Sequence, residues 1–247
     1  MPRTGTRKLY HLLTELLTIH NIRFGRDKLF DLLEDNGLLI RRRKRKRINT
    51  TDSNHPFKKY PNLIRDMQVL RPNQLWVSDI TYISLIDRFS YLSLVTDAYS
   101  RKIVGYCLYP TLQKEGPVAA LNMALSIFSG KPEQSLMHHS DRGKQYCCSD
   151  YIARLESKNV VISMTENGDP YENAIAERVN GILKEEFALD KDFENFENAQ
   201  AAVENAIKTY NQLRPHASCN YLTPDQAHQQ QGLLKSKWKK KEVTHAE

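Results

Sequence analysis

Leu9, Leu12, Leu13, Leu16 and Leu17 recur at the interval of one helical face, so residues 6–19 are predicted to form an amphipathic helix. A break over 20–25 leads into a second helix over 26–36, with Leu29, Leu32 and Leu33 turned inward and Gly37 as its stop. Residues 49–73 contain Pro56, Pro61 and Pro72 and read as an ill-defined connector. At Leu75 the pattern changes. The run Leu75-Trp76-Val77-Ser78-Asp79-Ile80-Thr81-Tyr82-Ile83 has the β-branched and aromatic content of a strand buried on both faces. Strands over 91–96 and 103–108 follow, and 85–88 and 98–101 are short enough for hairpin turns. Then come a helix over 117–128, a strand over 136–139, a helix over 148–158, a strand over 160–164 and a helix over 171–187. This last helix opens with Asp169 as cap, Pro170 at its first position and Glu172 three residues after the cap, a capping box. Ile175, Val179, Ile182 and Leu183 share its apolar side, while Asn173, Glu177, Asn180, Gly181 and Lys184 line the other, so Glu177 faces away from the core. A final helix over 196–210 places Phe196, Ala199, Val203, Ala206, Ile207 and Tyr210 on one face, and Pro215 ends it.

Charge divides the chain in a way that the apolar pattern does not show. Residues 1–71 carry 17 basic and 7 acidic side chains, residues 72–225 carry 14 and 20, and the remainder carries 5 and 2. A basic arm is thus joined to an acidic core. Within the arm, Arg41, Arg42, Arg43, Lys44, Arg45, Lys46 and Arg47 are consecutive. Taken alone such a run reads as a solvated linker, but behind a helix pair that suits a helix-turn-helix it reads as a phosphate-crossing segment. A helix pair that merely packs would show the same leucine pattern. The lysines of 235–241, with Trp238 among them, read as a frayed basic tail that could touch DNA.

The hydrophobic content of 40% over 247 residues is enough for one packed domain and a smaller one. No apolar run reaches membrane length, and Met1 is followed by a proline, basic residues and an amphipathic pattern, so a soluble intracellular protein is expected. Cys107, Cys147, Cys148 and Cys219 form no C-x-x-C pair. His138, His139, Cys147 and Cys148 suggest a zinc site, but zinc ligands usually come in spaced pairs, and reduced, buried thiols are the better reading.

Asp79 is the odd residue of its strand. A buried carboxylate needs a partner or a metal, and clustered carboxylates repel one another unless a divalent cation relieves them. Asp79, Asp141 and Glu177, with 35 residues between the last two, resemble the Asp-Asp-Glu triad of transposases and retroviral integrases. The phrases Trp76-Val77-Ser78-Asp79-Ile80-Thr81-Tyr82, His139-Ser140-Asp141-Arg142-Gly143-Lys144-Gln145-Tyr146, Pro170-Tyr171-Glu172-Asn173-Ala174 and Ala176-Glu177-Arg178 are similar to those of orfB-type transposases of bacterial insertion sequences. So are Tyr210-Asn211 to Arg214-Pro215-His216, Tyr221-Leu222-Thr223-Pro224 and, near the start, Gly5-Thr6-Arg7-Lys8-Leu9-Tyr10.

That resemblance implies an α/β fold: a ribonuclease H-like mixed five-stranded sheet with helices on both faces, preceded by a small helical, helix-turn-helix-like module. The implied division is a DNA-binding module with its basic run over 1–47, a linker over 48–71, an integrase-type core over 72–225 and a basic tail over 226–247. It further implies cleavage and strand transfer of element ends by two-metal phosphoryl transfer, with two Mg²⁺ ions, or Mn²⁺ as substitute, on Asp79, Asp141 and Glu177. Asp79 would bridge both ions. Lys184 would grip a phosphate beside the scissile bond, and Asn173, Arg142 and Gln145 are further candidates around the site. Arg26 and Lys28, at the start of the second helix, join the basic run as DNA contacts. The implied partners are double-stranded DNA, as element ends and target, a homo-oligomer on that DNA, and a partner reading frame or fusion, with no membrane. The implied place is the bacterial cytoplasm at the nucleoid. Either the frame acts with that partner or it is a truncated copy. A catalytically inactive DNA-binding remnant or regulator is the alternative reading, and a junction-selective nuclease of the same fold is a third.

Overall fold

The strand that begins at Leu75 is the centre of the molecule. In the computed structural model, which describes residues 1–40, 54–128, 135–166 and 173–234, β1 (Leu75–Ser84) lies in the middle of a five-stranded sheet. The strand order is β3 (Ile103–Tyr109), β2 (Phe89–Asp97), β1, β4 (Met137–Ser140), β5 (Val161–Met164). β1 pairs antiparallel with β2, and β2 with β3, while β4 runs parallel to both β1 and β5. The predicted mixed sheet is therefore present.

Helices cover both faces because residues two apart along a strand share a face. On one side Trp76 and Ile80 of β1 join Val95 and Val104 beneath α3 (Glu115–Ile127) and α5 (Ser149–Ser157), with Leu121, Ala124, Tyr151 and Leu155. On the other, Ile83, Leu92 and Leu94 pack under α6 (Ala174–Glu186) and α7 (Phe196–Leu213), with Val179, Ile182, Leu183, Val203 and Ile207. Gly105 lets α3 approach β3 closely, since a Cβ there would overlap the Ala120 carbonyl oxygen and lie 2.9 Å from the Ala124 Cβ.

Two short helices escaped the periodic pattern: α4 (Lys144–Cys147) and α8 (Pro224–Ala227), the latter closed by a Thr223–Gln226 capping box. α7 extends to Leu213, three residues beyond the predicted end. The described part of the expected connector is not ill-defined. Ile64, Met67 and Val69 pack beside Leu75 and Val77, and the Met164 N–H donates to the Pro61 carbonyl at 3.2 Å, which covers the edge of β5. Likewise the core continues past 225, for Tyr99 Oη donates to the Gly232 carbonyl and the Gly232 N–H to Leu70.

The N-terminal helices α1 (Thr6–Ile19) and α2 (Arg26–Asp35) form as predicted, but their burial does not follow the leucine pattern. Leu29 is buried, whereas Leu32 is 50% exposed and no residue of α1 is buried. Two short helices present too little area to cover both leucine stripes. The basic residues at 41–47, the capping box of Asp169, Pro170 and Glu172, and the lysines of 235–241 lie outside the described residues. Among the described residues no helix is long and apolar enough to cross a membrane.

Candidate active site

β1 and β4 are paired in parallel at Leu75 with Met137, Trp76 with His138 and Val77 with His139. Carrying the register on by two residues sets Asp79 level with Asp141, just past the last paired positions. There the two strands part, which is where parallel sheets present their sites. Asp79 also belongs to the side of β1 that faces α6.

Each acid is held by a different device. Asp79 is half-buried; its Oδ1 accepts from the Ile80 N–H at 2.9 Å and its Oδ2 from Asn180 Nδ2 at 2.7 Å. Burial pushes its pKa from the ordinary 3.8 up to about 7, aided by the Asp141 charge and, less, by Glu177, while the Asn180 and Ile80 hydrogen bonds pull the other way. Asp141 Oδ1 accepts from the Gly143 N–H at 2.9 Å, as the chain turns into α4. Glu177 is exposed in the first turn of α6, where the helix N-terminus favours an anionic side chain. Among the described residues no three His, Cys, Asp or Glu side chains close around a single point. The three acids are electrostatic neighbours rather than a finished cage.

α6 is fastened to β1 on either side of Glu177. Asn173 Nδ2 donates to the Ser78 carbonyl at 3.0 Å, and Asn180 reaches Asp79. Both asparagines are buried, and the Oδ1 atom of each has no hydrogen-bond partner. The helical pattern had placed Asn180 on the outer side; its position next to Val179 on the border of the apolar face brings it inward instead. Its spacing of one turn from Glu177 was the signal available, but its partner lies 101 residues away. Tyr146 was also missed. Its buried hydroxyl has no partner, and burial together with Tyr151, Asp79 and Asp141 pushes its pKa well up.

The remaining candidates are dispersed. Lys184 is half-buried with its Nζ 3.5 Å from the centroid of the Tyr82 ring; burial lowers its pKa to about 8 against the opposing pull of Asp79 and Asp190. Arg142 Nη1 donates to the Glu166 carbonyl at 3.0 Å. Gln145 is buried and its Nε2 donates to the Leu112 carbonyl at 2.9 Å, so its side chain supports the loop before α3 and does not face outward. Asn173 likewise ties backbone. Arg26 pairs with its neighbour Asp27, and Lys28 is exposed on α2. Of the suspected zinc ligands, His138 Nε2 lies 2.8 Å from Ser78 Oγ and 2.9 Å from Tyr151 Oη, and burial lowers its pKa to about 3. His139 Nδ1 meets Ser163 Oγ at 2.8 Å, and Cys147 and Cys148 are buried free thiols.

Comparison with known proteins bears on this arrangement. Two models, both described as integrase core domain, match residues 69–170 and 158–224. The insertion element IS600 uncharacterized 31 kDa protein of Shigella sonnei is 36% identical over 222 residues, which cover 89% of this chain and 79% of that protein. The transposase InsF for insertion sequence IS3A of Escherichia coli (strain K12) is 36% identical over 165 residues, 66% of this chain and 57% of that one. The chain belongs to the insertion-sequence transposases with an integrase core, a family of enzymes. It aligns with little more than half the length of the IS3 members of that family. Two solved structures share the fold. The HTLV-2 integrase catalytic core domain in complex with magnesium superposes with a TM-score of 0.51 at 23% identity, over 65% of this chain and 99% of that one. A simian T-cell lymphotropic virus intasome in complex with PP2A regulatory subunit B56 gamma gives 0.56 at 20% identity, over 98% and 81%. Both likenesses confirm the ribonuclease H-like sheet that the family resemblance implied, and the helical N-terminal module is present as well.

Proposed function

We propose that this chain cleaves and joins the ends of an insertion sequence by metal-dependent phosphoryl transfer, with Asp79, Asp141 and Glu177 as the metal-holding acids. The observation that carries this reading is the β1–β4 register, which sets two carboxylates level where the strands part. α6, pinned to β1 by Asn173 and Asn180, carries the third acid, Glu177, whose charge is felt at Asp79. The donors fit hard divalent cations such as Mg²⁺ or Mn²⁺, since all are carboxylate oxygens and Asp79 is pushed toward its neutral form by burial and by its two acidic neighbours in spite of two hydrogen bonds. The unpartnered Tyr146 hydroxyl and Asn180 Oδ1 add polar atoms on the protein side that could accept or donate to ordered water. Two ions, when bound, would supply activation of an attacking oxygen and stabilisation of a leaving one. The protein's own part is to hold the acids. Asn180 and the Ile80 N–H fix Asp79, the Gly143 N–H fixes Asp141, and Lys184 stands along α6 to meet a phosphate.

On this reading the substrate is double-stranded DNA, bound as element ends and target by a homo-oligomer, in the bacterial cytoplasm at the nucleoid. Residues 1–47 form the DNA-binding module, with Arg26, Lys28 and the seven basic residues at 41–47 crossing phosphates, and 72–225 the catalytic core. A partner reading frame or fusion completes end recognition. The test uses the purified chain and a duplex carrying the ends that flank its gene, with Mg²⁺ or Mn²⁺ and with the partner frame supplied. End-specific nicking or joining that falls about 10³-fold or more in Asp79→Asn, Asp141→Asn and Glu177→Gln is expected. Binding without metal-dependent cleavage would replace the reading with that of a DNA-binding remnant.

A further inference from the structure

Glu186, the last residue of α6, joins three distant segments of the chain. Arg214, which follows α7, grips its carboxylate with a fork: Nε to Oε2 and Nη2 to Oε1, both at 2.8 Å. Lys8, in the first turns of α1, donates from Nζ to the same Oε1 at 2.5 Å. The backbone carbonyl of Glu186 also accepts from the Arg3 N–H at 3.1 Å, while the Arg3 guanidinium pairs with Asp190 at 2.8 Å. The docking continues along α1, where the His11 ring stacks on Tyr221 with centroids 4.4 Å apart, and Met1 packs against the core cluster under α6 and α7.

The members of this joint are unequal. Arg214 and Glu186 are buried, and a forked guanidinium–carboxylate pair in that setting is a fixed part of the core. Lys8 is the third charge, sharing an oxygen already engaged, on a helix with no buried residue. Burial and the adjacent Arg214 charge hold the Lys8 pKa below its ordinary range, with Arg178 adding to the crowding and Glu186 pulling the other way.

The position of Glu186 on α6 gives the joint its consequence. Glu177 and Lys184 lie on that same helix, and nine residues from Glu177 to Glu186 span about 13 Å of rigid rise. α6 is fastened to β1 by Asn173 before its first turn and by Asn180 at its middle, and to α1 and the segment after α7 by Glu186 at its end. We propose that Glu186 is a positioning residue through which the N-terminal helical module sets the seat of α6, so that the placement of Glu177 and Lys184 against Asp79 depends on the Lys8 contact. The roles of Glu177 and Lys184 here rest on the function proposed above.

The test is made on the full chain with Lys8→Met and its conservative partner Lys8→Arg, because Lys8 is partly exposed and its replacement leaves the Arg214–Glu186 pair in place. Hydrogen exchange of the α6 amides, read without DNA against the β1 amides as internal reference, is expected to quicken at least fivefold in Lys8→Met and to return toward the original rate in Lys8→Arg. In nicking assays Lys8→Met is expected to lower kcat about tenfold while KM for DNA changes less than threefold. Unchanged exchange over α6 overturns the proposal. So does a rise in KM at constant kcat, which would make Lys8 a plain DNA contact. A chain that nicks no DNA at all would refute the proposed function, and the exchange measurement would still decide the joint.

Discussion

Asp79 carries a charge that the fold makes costly. Its pKa stands near 7 in the folded chain against the ordinary 3.8, first because of burial and then because of Asp141. Between those values the folded state retains a proton that the unfolded state has lost, so this residue's contribution makes stability fall as pH rises from about 4 to about 7. A divalent cation would compete with that proton. At roughly ten times its Kd, Mg²⁺ is expected to raise Tm by about 3–5 °C at pH 8 and by clearly less at pH 5.5. In Asp79→Asn most of the Mg²⁺ effect should vanish at both pH values, and the metal-free variant at pH 8 should melt no lower than the parent. A Mg²⁺ shift that is equal at the two pH values would show that Asp79 is not a ligand. Asn180→Ala removes the 2.7 Å bond that orients Asp79, and metal affinity or kcat should fall about 10–100-fold with the sheet intact. The two residues differ in how far the sequence announces them. An aspartate amid Val77, Ile80 and Tyr82 violates its surroundings and is visible at once, whereas an asparagine at the edge of a helical stripe violates nothing until the strand it touches is in place.

Elements were readable wherever a period was sustained. α1 begins and ends at the predicted residues, and β1, β2 and β3 follow from their β-branched runs because both faces of the sheet are covered. The four-residue helices α4 and α8 are too short to establish a period, and cap chemistry marks only α8, through Thr223, Pro224 and Gln226. The mutual approach of elements was hidden as well. Gly105 in β3 reads as a weak point of a strand, yet the α3 backbone comes so close to it that an added Cβ would overlap the Ala120 carbonyl oxygen. Gly105→Ala therefore forces α3 outward, and a loss of about 2–3 kcal/mol in urea unfolding is expected, at the upper end for overpacking because the obstructing atom is a backbone carbonyl. Gly37→Ala serves as the contrast. It lies at φ +66° with nothing within 4 Å of an added Cβ, so its cost is purely conformational, about 1 kcal/mol, and it falls on the N-terminal module instead of the sheet. Equal losses in the two variants would contradict the close-approach account.

Across the whole molecule the basic and acidic residues are segregated by position in the chain, and that segregation sets how DNA would be held. The core region from 72 to 225 has an excess of acids, three of them at the candidate site, so the core by itself would repel a phosphate backbone unless cations were bound. The arm before it has ten more basic than acidic residues, seven of the bases being the consecutive Arg41, Arg42, Arg43, Lys44, Arg45, Lys46 and Arg47. Each phosphate contact releases about 0.9 of a counterion, so the slope of log K against log salt counts contacts directly. If all seven touch phosphates, replacing them with Gln should flatten that slope by about 6 and reduce affinity steeply at low salt while leaving Tm nearly unchanged. The joint at Glu186 makes a second measurement informative. Lys8 is engaged within the protein, so Lys8→Met should change the slope by less than about 1, in contrast to the arm. A slope that survives loss of the seven bases would move the DNA path off the basic run and onto the exposed faces of α1 and α2. A full unit lost with Lys8 alone would mean that DNA binding opens the contact with Glu186.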